Sequence, residues 1–268
     1  MTDALDRLAA VGEDLLGRVG GVLVRGGVPE DGPVWELLRR VGALPGDVLD
    51  HALSLDVDGL RSAASELHGV AERFGALPER LEADVGRSAW EGSGAEAFGV
   101  VWNALAEHIG DGGDPGTIAG RLAVTASYLD ALAGWAAGFR YDLAEVIARV
   151  ATSAEAVTVR TAPTGLSAAG GVTGLSATVG PAAVTAAVGS AGLSAVVGPA
   201  AVAAAADREV GAAANRIAVL VLRSAVAAIE AAGELRGRWA GRLAELEYHP
   251  PLVPQGPALI SGVTRVNL

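Results

Sequence analysis

Two sets of residues recur at seven-residue intervals on either side of a glycine-rich corner. That pattern leaves the chain little to become except helices laid against one another. Before the corner, Leu60, Leu67, Phe74, Leu81 and Ser88 form one column and Ala63, Val70, Leu77 and Asp84 its neighbour, with Val85 alongside. After it, Ile118, Thr125, Leu132, Phe139 and Val146 form a third column, and Leu122, Leu129, Ala136, Leu143 and Val150 a fourth. Seven residues are close to two helical turns, so each column becomes a stripe along one side of a helix. The corner reads Ser88-Ala89-Trp90-Glu91-Gly92-Ser93-Gly94-Ala95-Glu96-Ala97-Phe98. Gly92 and Gly94 permit backbone angles that a helix forbids. Ser93 and Glu96 have the spacing of a capping box for the outgoing helix. Trp90 gives the apex an apolar face.

The pattern predicts an antiparallel hairpin. Pro78 should kink its first arm by removing a backbone hydrogen bond. Phe98, Val101, Trp102, Leu105 and Ile109 carry the second arm to the run from Gly110 to Gly116, which reads as a loop. Helix resumes at Thr117. Asp56 or Asp58 is placed to cap the first long helix. At 51% hydrophobic but only 4% aromatic residues, the core is mostly Ala, Val and Leu, which suits close-packed helices better than a β-sandwich. The expected fold class is all-α: an elongated antiparallel helical hairpin or bundle, with a short helical preface and a C-terminal helix.

Five segments follow in order. Residues 1–55 are a helical preface: one helix to about residue 24, weakened at its end by Gly20-Gly21, then a short helix from Val34 to Val41. Ala43-Leu44-Pro45-Gly46 breaks the second, and His51 and Leu53 sit in a further short segment. Residues 56–155 are the hairpin. Residues 156–206 are a Gly/Ala/Val-rich segment, uncharged from Thr161 to Ala206. Within it, Gly174-Leu175-Ser176-Ala177-Thr178-Val179-Gly180-Pro181-Ala182-Ala183-Val184 recurs almost unchanged at 192–202. It reads as a low-complexity linker or as small packed helices, with membrane contact through residues 161–206 as the competing reading. Residues 207–249 are a helix capped by Asp207 and stopped by His249-Pro250-Pro251, and 250–268 are a tail.

Composition removes several kinds of chemistry. There is no cysteine, so thiolate metal sites and a cysteine nucleophile are excluded. All 20 basic residues are arginine, which excludes a phosphate-loop lysine and Schiff-base chemistry. A net charge of -11 repels nucleic acid. His51, His68, His108 and His249 have no metal-ligand spacing, although His68 and His108 lie on opposite arms. Asp56-Val57-Asp58-Gly59 does not complete a calcium loop. Ser93 lacks the preceding strand that a nucleophile elbow requires. The sequence reads as a non-enzyme with no cofactor and no metal.

Tyr141 and Glu145 differ from these. They are four residues apart, hence on one helical face, and the neighbouring columns turn that face outward. A phenol and a carboxylate beside an apolar ring suit docking.

With both motifs in view, the chain resembles the WXG family of type VII secretion substrates, helical-hairpin proteins of actinobacteria and related bacteria. The resemblance covers roughly residues 54–152. Trp90-Glu91-Gly92 sits between two heptad-bearing helices, and Tyr141 with Glu145 matches the family's Tyr-x-x-x-Asp/Glu export signal. It implies a turn element at Trp90 and Gly92 and an export signal at Tyr141 and Glu145, recognised together by a type VII export ATPase. It also implies a helical homo- or heterodimer partner, which the extra helices of this longer chain would make optional. The glycine loop at 110–116 departs from the family by interrupting an arm that is normally continuous. The start, Met1-Thr2-Asp3-Ala4-Leu5, has no basic region or apolar run, so the expected route is signal-peptide-independent: cytoplasmic first, then secreted or at the cell surface. The alternatives are a membrane-active protein or toxin-delivery module using the Gly/Ala-rich segment, and a cytoplasmic helical scaffold.

Overall fold

The structure, a computed structural model, describes residues 2–26, 32–87, 91–162 and 199–246. The described residues are all-α, with no strand among them. In order they are α1 (Ala4–Gly26), α2 (Pro33–Val41), α3 (Pro45–Ser54), α4 (Val57–Gly75), α5 (Leu77–Arg87), α6 (Ser93–Ile109), α7 (Ile118–Ala151), α8 (Ala154–Thr161) and α9 (Pro199–Ala244). The chain forms two compact units. One comprises Met1–Arg7, Asp50–Leu143 and Ser224–Leu268, and the other Leu8–Leu49 and Ala144–Arg223.

The first unit contains α4 to α6 and most of α7. Asp56 caps α4, its Oδ1 accepting from the Gly59 N–H at 2.8 Å. The strain expected at Pro78 resolves as a break: α4 ends at Gly75, Ala76 intervenes, and Pro78 becomes the second residue of α5, where its missing N–H costs nothing. The loop after α6 is closed by its own polar groups. Asp111 and Asp114 each accept a backbone N–H two residues on, and Thr117 Oγ1 accepts from the Gly120 N–H at 3.1 Å to start α7. His68 Nε2 on α4 lies 3.2 Å from Asp130 Oδ2 on α7. On α9, the Ala228 carbonyl accepts from Trp135 Nε1 at 3.0 Å, and Trp239 meets Tyr128 with centroids 5.5 Å apart. As α7 advances α9 recedes, so the two run antiparallel.

Ala136, Leu143 and Val150 of the fourth column are buried on α7, beside a second buried stripe that is not one of the columns read from the sequence. It is Ala119, Ala126, Ala133, Arg140 and Ile147, again spaced by seven. On α4 the buried pair is likewise Ala64 and Ala71. Each is one residue beyond an expected column, whose larger members Val70, Leu132 and Phe139 are half-buried. Small side chains are buried there because they let helix backbones approach closely, while larger ones straddle the contact.

The second unit is more densely apolar. Leu15, Leu16 and Val19 of α1, Leu49 of α3, Ile147 of α7, Val159 of α8, and Ile217, Val221 and Leu222 of α9 are all essentially inaccessible. Gly12 is required here, since a Cβ on it would stand 2.8 Å from Leu49 Cδ2. The glycine pair at 20–21 does not end α1, which continues to Gly26. Burial of Val19 and Leu23 outweighs the roughly 1 kcal/mol that each internal glycine costs. The break expected at 43–46 is only a short turn: Pro45 opens α3, which carries His51 and Leu53. The last helix begins at Pro199 rather than at an Asp207 cap, and ends at Ala244. Proline is well suited to a first helical position, and Asp207 lies inside the helix. The first copy of the internal repeat lies outside the described residues.

Candidate functional site

Tyr141 is 66% exposed, in the last third of the 34-residue α7. Its chain neighbour Arg140 is 6% exposed, because successive helical residues point about 100° apart. A buried cation costs several kcal/mol unless it is paired, and Arg140 makes four hydrogen bonds. Nε donates to Asp3 Oδ2 at 2.7 Å and Nη2 to Asp6 Oδ1 at 2.6 Å. Nη1 donates to the carbonyls of Ala52 at 2.7 Å and Leu53 at 3.2 Å.

Each partner of Arg140 belongs to a helix end. Asp3 and Asp6 form a reciprocal cap at the start of α1: Asp3 Oδ1 accepts from the Asp6 N–H at 2.9 Å, and Asp6 Oδ2 accepts from the Asp3 N–H at 3.0 Å. Ala52 and Leu53 are in the last turn of α3, where carbonyls lack partners within the helix and favour a cation. One guanidinium thus joins the beginning of α1, the end of α3 and the last third of α7. Its hydrogen bond to Asp3 holds that carboxyl below the usual carboxylate range, against the opposing effect of partial burial.

Beside this clasp lies a cleft of about 560 Å³. Thr2, Asp3 and Asp6 contribute to one wall, Asp58 and Arg61 of α4 to another, and Tyr141 to a third. Asp58 and Arg61 face each other at 3.6 Å.

Glu145 stands one helical turn beyond Tyr141 and is exposed. Its Oε1 accepts from Arg149 Nη2 at 2.6 Å, so a group approaching Glu145 meets an ion pair rather than a lone carboxylate. Arg149 also borders a mainly apolar cavity of about 580 Å³ with Val150, Ile217, Val219 and Leu220.

At the corner, Gly92 has φ of +98°, which favours glycine, and is the N-cap of α6. Its carbonyl accepts from the N–H groups of Ala95 and Glu96. Ser93 is therefore the first helical residue and not the cap, and no side chain caps this helix. The positive φ at Gly92 sets the cap one residue earlier than the capping-box spacing suggests. Trp90 lies outside the described residues. His68 pairs with Asp130, not with His108, and no group of three or more potential metal ligands occurs among the described residues.

The structure thus places Tyr141 and Glu145 on the surface of one helix and Gly92 at the start of another. Sequence reasoning missed Arg140. The available signal was an arginine at the fourth position of a column otherwise made of Ala119, Ala126, Ala133 and Ile147. No protein-family model, no curated protein and no solved structure matches this chain.

Proposed function

We propose that the chain is a non-enzymatic substrate or partner protein of a type VII secretion system, with Tyr141 and Glu145 as the docking signal and the corner at Trp90 and Gly92 as a second recognition element. The observation that carries this reading is the exposure of Tyr141 beside the buried Arg140. A large aromatic ring held out from an anchored helix gains contact area on docking and loses little freedom in doing so. The all-helical architecture of the described residues and the positive-φ N-cap at Gly92 support it further.

The partner class is an export ATPase, and the destination is outside the cytoplasm. The test is an immunoblot of culture filtrate and cell pellet in isogenic hosts with and without a working type VII system. Appearance in the filtrate only with that system supports the proposal, and equal distribution in both hosts contradicts it.

A membrane-active role is the second reading. Residues Ala204–Ala244 are long and apolar enough to cross a membrane, with a mean hydropathy of 1.6 in their most apolar window. Because 44% of that window is buried, the same figures describe a core helix, and the secretion reading is preferred.

A further inference from the structure

We propose that the cavity framed by α2, α9 and the junction of α7 with α8 is a binding site for a neutral aliphatic molecule that carries a hydroxyl group. Its lining belongs to the second unit, and neither Tyr141 nor Gly92 takes part, so the inference is independent of the docking reading. The volume of about 580 Å³ falls in the range of roughly 300 to 1,000 Å³ that takes drug-sized molecules. Val34 of α2, Val150 of α7 and Ile217 of α9 are buried and form its floor. Val219 is half-buried, and Pro33 and Leu220 are exposed at its edge. These walls are aliphatic, and no aromatic ring lines the cavity among the described residues. They mould to a flexible hydrocarbon chain and give a planar ring no stacking partner.

The polar groups around the cavity indicate the head of that molecule. Among the described residues, the charged side chains that line it are Arg149, Glu155 and Arg216. Arg149 is bonded to Glu145 at 2.6 Å and Arg216 to Glu155 at 3.1 Å, so neither sign of charge is left over. Ser153 is engaged as well, its Oγ accepting from the Ala156 N–H at 3.2 Å. A carboxylate or an ammonium group entering here sheds hydration without gaining a free counter-charge. Asn215 is the exception. It lines the cavity, and its buried Oδ1 has no hydrogen-bond partner among the described residues. An acceptor in that state is destabilising until a donor reaches it. A small turn of the amide presents it to the cavity. A hydroxyl suits either end of the amide, because it both donates and accepts.

The test is a calorimetric titration of the purified full chain with 1-decanol, and with decanoate as the anionic molecule of the same chain length. The expected result is saturable one-to-one binding of 1-decanol, with decanoate at least tenfold weaker. Val219→Trp, which fills the cavity, should lower the 1-decanol affinity at least tenfold. Asn215→Ala should lower it several-fold and melt as the parent does, since the amide oxygen has no bond to lose. Absence of saturable binding, or parental affinity in a Val219→Trp protein that melts as the parent does, overturns the site. Equal affinity for decanoate overturns the neutral head group, and parental affinity in Asn215→Ala overturns the hydroxyl contact.

A titration of the unaltered ¹⁵N-labelled chain asks the same question without any variant, whether or not Val219→Trp folds. 1-Decanol should shift the amide signals of Val34, Val150, Val219 and Leu220. A titration that leaves these four signals unmoved overturns the site.

Discussion

The corner helices and the clasp on α7 carry the two halves of the proposed signal and are built in opposite ways. No described residue of α5 is buried, and on α6 only Ile109 is. Leu81, Phe98, Val100, Val101 and Leu105 stay exposed, and Phe98 stacks on Trp102 at 6.3 Å. Around Arg140, by contrast, a single side chain closes four hydrogen bonds to groups more than 80 residues away. Apolar surface gives area for a contact but no fixed geometry, whereas a saturated polar network fixes geometry and leaves nothing over for a partner. Tyr141 joins these properties: an unsatisfied surface on a fixed support.

The largest effect should come from Arg140. Arg140→Ala removes a donor from the Ala52 and Leu53 carbonyls and releases two carboxylates, a loss on the order of 3 kcal/mol by denaturant titration. A loss below about 1 kcal/mol would remove the contrast between the two regions. Next is Asp56→Ala, which deletes the cap of α4 and should cost about 1 kcal/mol.

A smaller effect should appear in the acid limb. The folded carboxyl of Asp3 titrates below its unfolded value, so its contribution is present above about pH 4 and is lost as pH falls through the folded value. Thermal melts between pH 5 and pH 2 should therefore fall more steeply for the parent than for Asp3→Asn. Parallel curves would mean that the Arg140 bond does not bear on stability. The smallest effect belongs to the corner: Val100→Ser should change stability by less than about 0.5 kcal/mol. Hydrogen exchange sharpens the same contrast, with amides of α5 and α6 exchanging faster than those at the centre of α7.

Much of this architecture was legible in the sequence, because apolar periodicity reports helices directly. A cap at Asp56 or Asp58 and the loop at 110–116 were equally clear, since their signals are local, and the structure gives the cap to Asp56. Burial register was less so. The eye follows large residues, and the column through Leu143 and Val150 is buried, yet close packing also buries Ala64, Ala119, Ala126 and Ala133. Glycine misled twice in opposite senses: Gly20-Gly21 did not end α1, whereas Gly92 took the cap assigned to Ser93. In both cases the deciding factor, core burial or backbone angle, is set outside the local pair. Arg140 was hidden for a related reason, since its partners at 3, 6, 52 and 53 have no sequence relation to it until α1, α3 and α7 assemble.

The measurement that tests the central claim most directly is the filtrate-to-pellet ratio of Tyr141→Ala against the parent in a host with a working type VII system. The substitution removes an exposed ring, so the two proteins should melt within a few degrees of each other. The account predicts a folded Tyr141→Ala protein that stays in the pellet while the parent reaches the filtrate. A folded Tyr141→Ala protein secreted as well as the parent would contradict it.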